Sequence, residues 1–184
     1  GSRNVVRTAI RLVEPAPNFD SDFRSKLEDL LRWRRDVRRF QTDPLPAGTV
    51  QRLVEAARLA PSVGLSEPWR FVVDASKPRK RAMRENFERA NANALRGYEG
   101  DDARLCASLK PSGMDDAPMQ LAVFTDQETD QDRRLSRETM PVTFTYFTVA
   151  AVHTLWLAAR ADGIDVGWVS ILETDSLKET LDVL

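Results

Sequence analysis

The sequence predicts an α+β fold, with helices laid around a modest central sheet. Two observations carry this. Apolar residues recur at helical spacing in several separate stretches, and three short β-rich runs lie scattered between them. The resulting order is helix, helix, strand, helix, strand, long helix, strand, helix, which suits helices packed on a small sheet rather than a parallel βαβ series. At 184 residues the chain is read as one domain, 21–184, preceded by an N-terminal arm, 1–20.

Each element has a local reason. Pro15 and Pro17 keep the arm irregular, and Gly1-Ser2 reads as a cloning scar. Asp20 or Ser21 can cap a helix whose face is Phe23, Leu27, Leu30 and Leu31, with Arg34 at its end if the helix runs that far. DPLP (43–46) cannot continue a helix. A second helix runs from about Pro46 to Ala60, with Val50, Leu53, Val54, Ala57 and Ala60 at helical spacing and Pro61 ending it. A loop, PSVGLSEPW (61–69), leads to a strand at 70–73. The polar stretch 77–105 reads as an exposed helix at 78–95 with a linker, or as a lid. A loop at 110–118 precedes a buried strand at 119–124. The strongest helix, 142–162, should bury Val149, Val152, Leu155, Trp156 and Ala159, and Gly163 should end it. Residues 164–172 (IDVGWVSIL) read as a strand, and a last helix is capped near Thr174 or Ser176. Three strands make a thin sheet, so a C-terminal strand, or one from a partner chain, is expected to be missing.

Composition narrows the function. Lys+Arg 27 against Asp+Glu 28 leaves a net charge of -1, which argues against nucleic acid as the partner. No apolar run reaches the roughly 18 residues that a membrane-spanning helix needs. Cys106 is the single cysteine and His153 the single histidine, so neither a disulfide nor a Cys/His metal cluster can form within the chain. His153 lies in VAAVHTLWLAAR and is read as a packed core residue. The expected location is the cytoplasm.

Three stretches carry chemistry. RWRRDVRRF (32–40) places five arginines around Asp36. It reads as a solvated basic face, a nucleic-acid contact or a phosphate site. Arginine's fork of donors fits phosphate oxygens bidentately. If the segment is extended, Arg34, Asp36, Arg38 and Phe40 share one side, whereas a helix would separate Asp36 from Arg34 and Arg38. PSVGLSEPW offers open amides in a stiff loop, which suits the edge of a flat ring or nothing at all. In GWVSI, Ser170 is either a strand serine bonded to backbone or a functional hydroxyl.

Together, RRDVRRF (34–40), DPLP (43–46), APSVGLSEPWRFV (60–72), SGMDDAPMQLAVF (112–124) and HTLWLAARADGIDVGWVSI (153–171) resemble the nitroreductase-like flavoprotein superfamily. More narrowly they resemble its BluB-type 5,6-dimethylbenzimidazole synthases, the flavin destructases. Asp36 is the sharpest marker, because ordinary nitroreductases usually carry serine there.

The resemblance implies a nitroreductase-like sandwich, an antiparallel or mixed sheet flanked by helices, in a domain-exchanged homodimer. It implies FMN sites at the subunit interface. Arg34, Arg35 and Arg38 would hold the phosphate and ribityl chain; Pro61, Ser62 and Val63 would line the ring. Gly167 and Ser170 would approach the isoalloxazine from the other side. Asp36 and Ser170 would be catalytic. The implied reaction is O2-dependent fragmentation of reduced FMN to 5,6-dimethylbenzimidazole and erythrose 4-phosphate, for the lower ligand of cobalamin. Reduced FMN, the substrate, would come from a separate reductase, with no metal involved. The competing expectations are an NAD(P)H:FMN nitro- or quinone reductase and a non-catalytic flavin-binding protein. The chain departs from the family pattern at Glu67, Phe147 and Asp165.

Overall fold

In the computed structural model, residues 17–74, 76–95, 112–129 and 139–183 are described. The chain divides between Trp33 and Arg34 into two compact units. The first contains one helix, α1 (Ser21–Trp33), started as expected: the Asp20 carboxylate accepts from the Phe23 amide at 2.8 Å. Phe23, Leu27 and Leu31 on its apolar stripe are exposed.

The second unit holds α2 (Thr49–Ala57), β1 (Trp69–Asp74), α3 (Lys77–Leu95), α4 (Ser112–Asp116), β2 (Gln120–Thr125), α5 (Thr143–Ala161) and α6 (Thr174–Leu181). The strands pair antiparallel, from Trp69 opposite Thr125 to Asp74 opposite Gln120. Side chains alternate across this two-stranded sheet, so it separates two apolar clusters. Phe71 and Leu121 pack against Leu53, Ala57, Trp69, Ala151, Leu155 and Ala159 of the larger one. Ala122 and Phe124 face the smaller, around Met83, Leu177 and Leu181. Fully buried alanines, Ala57 on α2 and Ala151 and Ala159 on α5, put no bulk between the two long apolar faces.

The long helix buries Leu155, Trp156 and Ala159 of its expected face. Phe144, Thr148, Ala151, Leu155, Trp156 and Ala159 are buried, but Val149 is 45% exposed. His153 is also exposed, contrary to the core position read from sequence. It lies two residues from both Ala151 and Leu155, about 200° round the helix from each. Apolar residues on both sides of α5 had hidden that Val149 and His153 lie outside the buried stripe. The C-terminal end follows expectation: the Gly163 amide donates to the Arg160 carbonyl and the Ile164 amide to that of Ala159, with Gly163 at φ 75°.

Three other expectations change. The loop at 110–118 contains the short α4. α6 begins after Glu173, which makes no side-chain cap. Residues 164–172 form no strand, only an isolated parallel bridge between Val166 and Asp36.

The polar stretch beginning at 77 is a docked helix through residue 95. Met83, Asn86 and Phe87 are buried. The Asn86 side chain donates to the Glu173 carbonyl at 2.9 Å and accepts from the Glu173 amide at 2.8 Å. Arg89 reaches the Glu173 carboxylate at 3.2 Å, and Arg79 pairs with Asp182 at 2.5 Å. These bonds tie α3 to α6 and satisfy the buried amide of Asn86. The remainder of the lid reading, 96–105, lies outside the described residues.

Candidate active site

The second unit begins with Arg34-Arg35-Asp36-Val37-Arg38, and this segment is extended. It is stitched to 166–168 by backbone and side chains. The Val37 amide donates to the Val166 carbonyl at 3.2 Å. Asp36 Oδ1 accepts from the Trp168 amide at 2.8 Å. Arg38 donates to the Trp168 carbonyl at 2.8 Å and to Asp36 Oδ2 at 2.5 Å. Asp36 and Arg38 therefore bind the two polar groups of Trp168 that a neighbouring strand would otherwise pair. That is why the bridge does not extend into a ladder.

Gly167 allows the chains to come this close. A Cβ there would lie 2.3 Å from the Val37 carbonyl oxygen and 3.2 Å from the Phe40 ring. The glycine expected beside a flavin ring is required by the crossing of two backbone segments.

Arg34 faces the same wall. Its guanidinium lies 4.8 Å from the centroid of the Trp156 ring. Trp156, 7% exposed, sits 6.3 Å from Trp168, tilted by 31°. Arg34, Asp36, Arg38 and Phe40 all meet Trp156 or the 167–168 segment, as the extended alternative requires. Arg35 is exposed and donates to the Arg34 carbonyl at 2.9 Å. Ser170 is exposed, in the irregular segment that follows Trp168.

The loop 61–68 has a turn structure of its own. Val63–Leu65 make a 3-10 turn, and Gly64, Leu65 and Glu67 all have positive φ. The Ser62 hydroxyl accepts from the Glu67 amide at 3.2 Å, fixing the turn. Pro61 is exposed and Val63 half-buried, so part of the loop remains open to solvent. The buried Ser66 hydroxyl lacks a hydrogen-bond partner. Among the described residues, no hydrogen bond or ion pair joins 61–63 to the Arg34–Arg38 segment.

The departures noted in sequence are accommodated. Glu67 pairs with Arg58 at 3.2 Å, Asp165 with Arg160 at 2.8 Å, and Phe147 packs on the larger apolar cluster. The contact that sequence reasoning missed is Arg34 on Trp156. The tryptophan read as core; its place beside Leu155, at the margin of the buried stripe, was the available signal.

The chain belongs to the nitroreductase family, whose family model matches residues 31–183. Within that family it is 50% identical over 169 residues to the 5,6-dimethylbenzimidazole synthase of Rhodospirillum rubrum, covering 91% of this chain and 79% of that protein. The 5,6-dimethylbenzimidazole synthase of Rhodobacter capsulatus is 43% identical over 165 residues, covering 90% and 80%. Among solved structures, iodotyrosine deiodinase bound to FMN and 3-iodo-L-tyrosine superposes with a TM-score of 0.71 at 21% identity, covering 86% of this chain and 82% of that one. A BluB-like flavoprotein from Clostridium difficile superposes at 0.67 with 19% identity, covering 85% and 80%.

Proposed function

We propose that the protein is a 5,6-dimethylbenzimidazole synthase, which fragments reduced FMN with O2 to 5,6-dimethylbenzimidazole and erythrose 4-phosphate for the lower ligand of cobalamin. The observation that carries this reading is Asp36, an aspartate held between a backbone amide and Arg38 in a chain whose relatives at 50% and 43% identity bear that name.

The donor set fits FMN. The Arg34 guanidinium lies over the Trp156 ring and makes no hydrogen bond or ion pair among the described residues, which leaves its N–H donors for a phosphate. Arg35 and Arg38 add positive charge to the phosphate and ribityl region. Pro61, Ser62 and Val63 present a stiff edge to the flavin ring, and Gly167 and Ser170 border it from the other side. Bound reduced FMN supplies the electrons taken up by O2 and the carbon of both products.

Asp36 is the proton-transfer group at the first ribityl carbon. Each carboxylate oxygen has two acceptor directions. Trp168 and Arg38 occupy one on each oxygen, so the carboxylate is aimed by its partners while another direction stays available. Ser170 donates to an edge of the flavin.

The protein works as a homodimer in the cytoplasm, supplied with reduced FMN by a separate reductase. On α5, Tyr146, Val149 and His153 follow Val142 at helical spacing, and all are exposed. This stripe supports a second copy as the cover for that face. Among the described residues, no helix is long and apolar enough to cross a membrane.

The discriminating test is optical. The protein is loaded with chemically reduced FMN under nitrogen, and air is then admitted. Incomplete return of the oxidised-flavin absorbance is expected. Quantitative return, together with NAD(P)H-dependent quinone reduction, would assign the chain to the reductases instead.

A further inference from the structure

We infer that Trp156 is the positioning residue for anion recognition: its indole face holds the Arg34 guanidinium in the orientation that receives the flavin's phosphate. This rests on the flavin reading above and deepens it. It explains how an arginine at the start of an extended, half-exposed segment can present its donors in one direction.

A free arginine is costly to fix. An arginine side chain loses much rotamer freedom when it is fixed on a ligand, and that loss weakens binding. Arg38 is already fixed by Asp36 and by the Trp168 carbonyl. Arg34 has no such polar anchor among the described residues; its contact is the ring of Trp156, 4.8 Å away. An aromatic ring attracts the cation without supplying a carboxylate or carbonyl acceptor, so the guanidinium's N–H donors stay available for an anion. A carboxylate partner would instead consume them and oppose an incoming anion.

The ring is itself held. Trp156 is 7% exposed on α5, and Trp168 packs 6.3 Å from it. The Trp168 backbone is clamped in turn by Asp36 and Arg38. The arginines at both ends of Arg34–Arg38 are thus fixed by one tryptophan pair: Arg34 through the face of Trp156, Arg38 through the carbonyl of Trp168.

The test separates phosphate recognition from ring recognition. Affinities for FMN and for riboflavin, which lacks the phosphate, are measured with the full chain and with Trp156→Leu, Trp156→Phe and Arg34→Met. The parent should bind FMN much more tightly than riboflavin. Trp156→Leu should lower that preference about fivefold while leaving riboflavin affinity nearly unchanged, and Trp156→Phe should keep most of it. In an Arg34→Met background, Trp156→Leu should produce no further loss of preference. If Trp156→Leu does not fold, Trp156→Met takes its place, with the same expected loss of preference and the same absence of further loss in the Arg34→Met background. An unchanged preference in the folded Trp156 variants overturns the inference while leaving the flavin reading intact. A parent that binds neither flavin removes the flavin reading and this inference with it.

Discussion

Gly167→Ala should lower the thermal midpoint by about 6–12 °C, the equivalent of about 3 kcal/mol in a chain of this size. The added methyl would lie 2.3 Å from the Val37 carbonyl oxygen, a backbone atom that no side-chain rotation can move aside. Relief requires the 34–40 and 166–168 segments to separate. That separation would stretch the Val37–Val166 hydrogen bond and the bond from the Trp168 amide to Asp36. Flavin affinity should therefore fall with stability. Gly163→Ala is the contrasting case: nothing lies within 4 Å of its added methyl, so only its φ of 75° resists. The cost there should be about 1 kcal/mol. Melting curves of the two variants decide whether close approach or local conformation dominates at Gly167.

Asp36→Asn should abolish most product formation while hardly changing stability. The amide retains an oxygen for the Trp168 N–H, so the stitch between the two segments survives. It removes the charge facing Arg38 and the ability to take up a proton. Asp36 is 40% exposed and Arg38 52%, so loss of their ion pair should cost no more than about 1 kcal/mol. Loss of proton transfer should lower turnover by about a hundredfold to ten-thousandfold. Asp36→Ala removes the acceptor too and should add a fall in thermal midpoint and in FMN affinity. If Asn and Ala variants lost turnover only in proportion to flavin affinity, Asp36 would be a clamp on Trp168 and not a proton-transfer group.

Much of this arrangement is written locally. Asp20 starts α1, and Gly163 ends α5 through two backbone bonds that only a residue comfortable at positive φ permits readily. The alternation within RRDVRRF named the residues that turn toward one wall. The rest depends on partners remote in sequence. Residues 164–172 have the composition of a strand, but strands need a neighbour. Asp36 and Arg38, 132 and 130 residues away from Trp168, take its amide and carbonyl. On α5 the inward Leu155, Trp156 and Ala159 were legible, but Val149, about 120° round the helix from Leu155, was not: hydropathy alone gave no reason to leave it outside the packing against α2 and the sheet. Trp156 looked like any core aromatic until Arg34 was found over its face.

The central claim is that this chain destroys FMN rather than recycling it. The most direct measurement uses reduced FMN carrying a heavy carbon at the first ribityl position, loaded anaerobically onto the protein before oxygen is admitted. Products are separated by chromatography and weighed by mass spectrometry. The account predicts 5,6-dimethylbenzimidazole heavier by the label, located at the carbon between its two ring nitrogens, together with unlabelled erythrose 4-phosphate. Intact labelled FMN as the sole product, from protein shown to have the flavin bound, would contradict it.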